Sequence, residues 1–243
     1  MADMEGTRLD AAAASLPHVA RLASAFARPL DTVDPAGWGL PGLPPSEIRA
    51  LARDPHFARA LARRACGGSL PLGECDAAGI GALAATSEGR LAVLLASRPV
   101  GEIEQTALLA AAAALQLHVL RATARAERQR LREALGREPY QVATQEAPTL
   151  YADLAKLDVP GSFREMMAAD EDAAALRARL LAFGHAVLCR FAAAAAPALS
   201  GLVARRLPSA PLAAPFDNHK SIDLKQLSKL ICRRMPGWAD IIG

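Results

Sequence analysis

From Gly101 to Leu135 the chain has no proline and no internal glycine, and it is stocked with alanine and leucine until Gly136 interrupts it. Nothing in that run breaks an α-helix, and the glycine stands where a left-handed cap closes one, so the spacing predicts a single long helix. Its first part, TALLAAAAALQLHVL, is small and apolar nearly all round and is expected at the centre of the core. Its second part, RATARAERQRLREAL, is strongly charged, with one apolar stripe of Ala124, Leu131 and Leu135. Arg125, Arg128 and Arg132 are therefore expected on a face turned to solvent or to a partner.

The rest of the chain agrees with a helical class. Apolar residues make up 52% of it, much of that alanine, while aromatic residues make up 4%. Strands draw on β-branched and aromatic side chains, and alanine is the best helix former. The expectation is an all-α, compact multi-helix domain with two long central helices and a short basic helix at the carboxyl end.

Leu9, Ala13, Leu16, Ala20, Ala23 and Phe26 recur at helical spacing ahead of Pro29. Residues 28–45, RPLDTVDPAGWGLPGLPP, hold too much proline and glycine for a helix and read as an extended strap anchored by Trp38. A helix should open at Ser46, and another at Asp54-Pro55 that turns Phe57 and Leu61 inward and stops at Gly67-Gly68. Asp76 and Ser87 read as starts of two more, the latter presenting Leu91, Val93, Leu94 and Leu95 before Pro99. A helix from Glu138-Pro139 is expected to break before Pro148, with TLYADLAKL as a further segment. Ser162 with Glu165 forms a capping box, and Asp170 caps the helix that leads into the apolar stretch Leu180–Val203. That stretch holds His185, Arg190 and Pro197, which favours a buried core helix over a membrane span.

Residues 1–207 are thus expected as a single helical domain, 208–220 as a proline-rich linker, and 221–243 as an amphipathic basic helix. Three of the four lysines, Lys220, Lys225 and Lys229, lie in that last region with Arg233 and Arg234. Ile222, Leu227, Leu230 and Ile231 give it an apolar stripe behind a Ser221 cap. Two readings stay open for it: docking on a partner, or packing back on its own core.

No phosphate loop, nucleophile elbow or zinc-protease helix motif occurs in the sequence. Asp170-Glu171-Asp172 sits at a helix start, where acidic residues favour the dipole. His118 and His185, expected to lack a thiol or carboxylate one turn away, read as hydrogen-bonded core residues rather than ligands. Cys66, Cys75, Cys189 and Cys232 have no metal spacing and fit a reduced compartment, and Asp3, Glu5 and Asp10 argue against a secretory leader. Net charge is +3, and the arginine groups (Arg63-Arg64, Arg121 to Arg132, Arg205-Arg206, Arg233-Arg234) lack interleaved aromatics, so no nucleic-acid partner is expected. No catalytic residue, cofactor or metal is assigned.

The order of features FARPLDTVDPAGWGLPGLP, SRPVGEIEQTALLAAAAALQLHVL and LREALGREPYQVATQEAPTLY resembles the SctK family of type III secretion accessory proteins, with its YscK-like and OrgA/MxiK-like members. The resemblance covers about residues 22–152 and is carried best by Ala134, Leu135, Gly136, Tyr140 and Ala147-Pro148. Thr32, Val33 and Asp34-Pro35 depart from the family's tyrosine and His-Pro pair. The resemblance implies a non-catalytic adaptor of the cytosolic sorting platform, monomeric by itself, ordered into a ring-shaped assembly and peripheral to the inner membrane without inserting into it. Its implied partners are the cytoplasmic domain of an inner-membrane ring protein and the switch-ring pod protein, beneath which the export ATPase complex is held. Candidate contact residues, read from exposure and charge, are Trp38, Arg125, Arg128, Arg132, Lys225, Lys229, Arg233 and Arg234. The alternatives are a helical regulator that binds nucleic acid or another effector, and an all-α enzyme.

Overall fold

A computed structural model describes residues 20, 42–58, 60, 83, 85–156, 172–204, 206 and 223–242. Every regular element among the described residues is helical, so the fold class is all-α as expected. The amino-terminal helix, the strap up to Pro41, Leu61, the Gly67-Gly68 cap, the Asp76 start, the Ser162/Glu165 capping box, Asp170, the linker and Ser221 lie outside the described residues.

The chain divides into two compact units. The first comprises Met1–Ile103, Phe191–Pro208 and Asp240–Gly243. Its helix α1, Pro45–Arg53, opens one residue before Ser46, because Pro45 takes the first helical position behind an extended Pro44. Asp54 then starts a new turn, its carboxylate accepting from the His56 N–H at 2.8 Å. Phe57 on that turn is exposed, not inward as expected. Helix α2, Ser87–Ser97, is capped by Thr86, whose hydroxyl accepts from the Gly89 N–H at 3.0 Å. Leu91, Val93, Leu94 and Leu95 are all fully buried. A β-carbon at Gly89 would lie 1.9 Å from the Leu83 carbonyl oxygen, so this turn tolerates only glycine. Within this unit a short helix near the far end of the chain, Pro197–Val203 (labelled α9 below), packs on α2.

The second unit comprises Glu104–Arg190 and Ser209–Ala239. The single helix expected over Gly101–Leu135 is three helices instead: α3 (Val100–Ala114), α4 (Gln116–Arg121) and α5 (Arg125–Leu135). No breaker marks the divisions, so tertiary bonding overrides propensity. Leu115 leaves the helical path with φ −93° and ψ 8°, and the buried Gln116 amide donates to the Tyr151 carbonyl at 3.1 Å. Ala122 and Ala124 are extended, with ψ 103° and 136°, and Ala124 is exposed rather than part of an apolar stripe. Gly136, with φ 83°, closes α5 as the sequence predicted.

The break expected before Pro148 does not occur. Helix α6 (Arg137–Gln141) runs through a π turn, Val142–Glu146, into α7 (Ala147–Leu150), and the Ala147 N–H bonds the Val142 carbonyl five residues back. Proline has no N–H to give and its ring crowds the carbonyl four residues earlier, and a widened turn accommodates both. A 3₁₀ turn, Ala152–Lys156, follows.

Helix α8, Ala173–Ala195, is capped by Asp172, whose carboxylate accepts from the Ala175 N–H at 2.7 Å. It stops at Ala196, and α9 begins with Pro197 at its first position, so the apolar stretch is two helices. By length and composition α8 passes the test for a membrane span, with half of its most apolar window buried inside the protein. Gly184 sets its contact with α3: a β-carbon there would fall 1.8 Å from the Ala107 carbonyl oxygen and 3.1 Å from the Ala111 β-carbon. Helix α10, Leu224–Arg234, is capped by Asp223, which accepts from the Gln226 N–H at 2.9 Å. A last helix, α11 (Pro236–Ile242), buries Trp238.

Candidate interaction surface

Helix α5 separates its residues cleanly. Leu131, Ala134 and Leu135 are buried, while Arg125, Arg128 and Arg132 are exposed. At about 100° per residue the three arginines fall within roughly 60° of each other on the solvent face, and seven residues of rise spread them over about 10 Å. None of the three guanidiniums bonds another described residue. The buried side is tied down by α8, whose Arg177 donates to the Ala134 carbonyl at 3.1 Å.

The cationic residues of α10 are disposed differently. Lys225, Lys229 and Arg233 are exposed, but Arg234 is half-buried and committed within the unit. Its guanidinium holds Glu146 through Nη2 and, from Nε, at 3.1 Å, and it lies 3.7 Å from Glu138. Arg233 reaches the same Glu146 at 3.9 Å. Gln226 and Asp153 bond reciprocally: the amide donates to Asp153 Oδ2 at 2.6 Å, and the Asp153 N–H donates back at 3.2 Å. Hydrogen bonds from Lys156 and Gln226 hold the Asp153 carboxyl below the usual range, and burial raises the Tyr151 phenol while Arg233 opposes it. With Leu227, Leu230 and Ile231 fully buried, α10 packs in cis against the 3₁₀ turn of its own unit. Trp38 lies outside the described residues.

Four ionisable groups, Cys189, His185, His118 and Arg206, bear on chemistry. Cys189 sits one helical turn beyond His185, its sulfur 3.6 Å from Nε2, so the expectation that no thiol accompanied His185 is corrected. Burial pushes that thiol up to about 12, which keeps it protonated and weakly nucleophilic near neutrality. His118 is half-buried on α4. Arg206 is fully buried, and burial lowers its guanidinium to about 10. Its Nη2 donates to the Arg98 carbonyl at the end of α2, while Nε and Nη1 bond nothing among the described residues. No group of three His, Cys, Asp or Glu side chains gathers at metal-binding distance among the described residues.

Sequence reasoning placed all of TALLAAAAALQLHVL in the core, and α4 departs from that. Gln116 and Val119 point inward, but Leu117, Leu120 and Arg121 are exposed, as is Leu150 on the neighbouring α7. The signal that would have found them is the i, i+3, i+4 spacing of two leucines and an arginine beside the charged half of the run. Among known proteins, no family model, curated protein or solved structure matches the chain.

Proposed function

We propose that the chain is a non-catalytic cytosolic adaptor of a type III secretion sorting platform, peripheral to the inner membrane. In that role it links the cytoplasmic domain of the inner-membrane ring protein to the switch-ring pod and the export ATPase complex. The sequence pattern over about residues 22–152 supports this reading, and the observation that carries it is the row of Arg125, Arg128 and Arg132 on the solvent face of α5. A rigid helix with aligned, unengaged guanidiniums suits an acidic protein surface, where charge complementarity sets orientation and encounter rate.

Co-purification tests it. The tagged chain is expressed with the ring protein's cytoplasmic domain and the pod protein. The parent is expected to retain both, and R125E/R128E/R132E to lose one. Retention of neither partner by the parent refutes the reading. A helical nucleic-acid-binding regulator is the second reading, favoured by the same guanidinium row. Salt-dependent retention of duplex DNA by the parent, lost in the triple variant, would establish it in place of the adaptor.

A further inference from the structure

The solvent face of α4 inverts the usual pattern of a packed helix. Leu117 and Leu120 are 44% and 46% exposed, and with Arg121 they occupy one arc of about 100°, opposite the buried Val119. Two leucines one turn apart are a small apolar anchor that intramolecular packing leaves in water. Helix α7, which packs on α4, adds Leu150 at 46% exposure. The link of Ala122 to Ala124 joins α4 to α5 in four Cα steps from Arg121 to Arg125, at most about 14 Å. From Leu117 to Glu133 the exposed charges are Arg121, Arg125, Arg128, Arg132 and Glu133, and the one carboxylate is already bound by Gln129 at 2.6 Å.

From this juxtaposition we infer that α4 and α5 form a docking surface for an acidic amphipathic helix of a partner protein, which sets leucine-sized side chains on Leu117 and Leu120 and carboxylates on the arginine row. The occupant is helical because the guanidiniums of α5 recur at i, i+3 and i+7, the spacing that carboxylates one and two turns apart on a facing helix reproduce. It is a protein because the leucines are desolvated only by apolar side chains, and the exposed residues of α4 and α5 include no aromatic for base stacking. A second copy of this chain fits poorly, since a two-fold contact would set the arginine row against itself. The inference names no secretion component, so failure of the ring and pod proteins to bind leaves it standing, and its own failure leaves the adaptor reading to its own test.

The experiment uses the full chain and a synthetic, fluorescein-labelled helical peptide of Glu, Leu and Ala, with a control in which Gln replaces every Glu. Fluorescence anisotropy is expected to show binding of the Glu peptide that weakens about tenfold or more, or 1.4 kcal/mol, with R125E/R128E/R132E, with L117S/L120S and with the Gln control. All substituted positions are exposed, so far-UV circular dichroism should match the parent. If the charge reversal prevents folding, R125Q/R128Q/R132Q replaces it. Absence of binding, equal binding of Glu and Gln peptides, or equal binding by parent and variants overturns the inference. So does tighter binding of a labelled DNA duplex than of the Glu peptide, or self-association in sedimentation that the arginine variant abolishes.

Discussion

Replacing Gly184 with alanine exchanges a helix-breaking residue for the best helix former, a change worth about 1 kcal/mol in favour of the variant in an open helix. Its place in α8 reverses the sign. The new β-carbon would lie 1.8 Å from the Ala107 carbonyl oxygen and 2.6 Å from the carbonyl carbon, both backbone atoms of α3. Restoring a 3.4 Å contact moves the two helices apart by about 1.6 Å at that point, since no rotamer change relieves a backbone clash. Overpacking of this kind costs about 3 kcal/mol at its upper end, so the net loss is about 2 kcal/mol. For a chain of this size that corresponds to a fall in Tm of roughly 4–8 °C. Gly201 in α9 is the matched control, because a β-carbon there meets nothing within 4 Å. Gly201→Ala is expected to raise Tm by about 2 °C, through roughly 0.5–1 kcal/mol of helix propensity. Thermal and urea unfolding followed by circular dichroism read both. Parent-like or higher stability in Gly184→Ala would refute the claim that α3 and α8 meet through backbone at this site.

Arg206→Met should leave stability unchanged or raise it by about 1–3 kcal/mol, since it removes a buried cation that makes one hydrogen bond; a large drop in urea midpoint would show that the guanidinium has a strong partner. Arg234→Ala leaves Glu146 with only the longer Arg233 contact at 3.9 Å and loosens α10, for a cost of about 1–2 kcal/mol and faster amide exchange over Leu224–Arg234; unchanged exchange there would contradict the clamp. Cys189 should resist N-ethylmaleimide in the native protein, as read by peptide mass spectrometry. Because its folded thiol titrates near 12 against an ordinary value of 9.0, the unfolded state loses that proton first. Its contribution to stability is whole below about pH 9 and is lost as pH rises toward 12. Cys189→Ala should therefore lose less stability than the parent between pH 9 and 11, and identical alkaline profiles would contradict this.

What could be read in advance was local chemistry. Pro44-Pro45, Ser87, Asp54-Pro55 and Gly136 mark helix ends through their own backbone preferences, and the structure follows them to within a residue. The divisions at Leu115 and Ala122–Ala124 were not legible, because the bond that accompanies the first joins Gln116 to Tyr151, thirty-five positions away in sequence. The same non-local packing decided the surface. Periodicity assigned the arginines of α5 to solvent correctly, yet it placed Leu117 and Leu120 in the core, since a short helix anchored by Gln116 and Val119 leaves its other face uncovered. Arg233 and Arg234 read alike as sequence, and only the position of Glu146 makes one of them an internal anchor.

That position depends on the widened turn at Val142–Glu146. Along an unbroken α-helix, Glu138 and Glu146 would point about 80° apart, too divergent to serve one guanidinium. One surplus residue in the winding rotates the later carboxylate back by about 100°, leaving the pair nearly in line on the side where Arg234 lies. The turn thus acts as a phase adjuster for the carboxyl-terminal latch. Deleting Gln145 would remove the surplus residue and the widened turn together, leaving seven residues of regular helix from one acid to the other, about 20° out of line, so the latch survives the deletion; a straight helix that kept all eight would lose it.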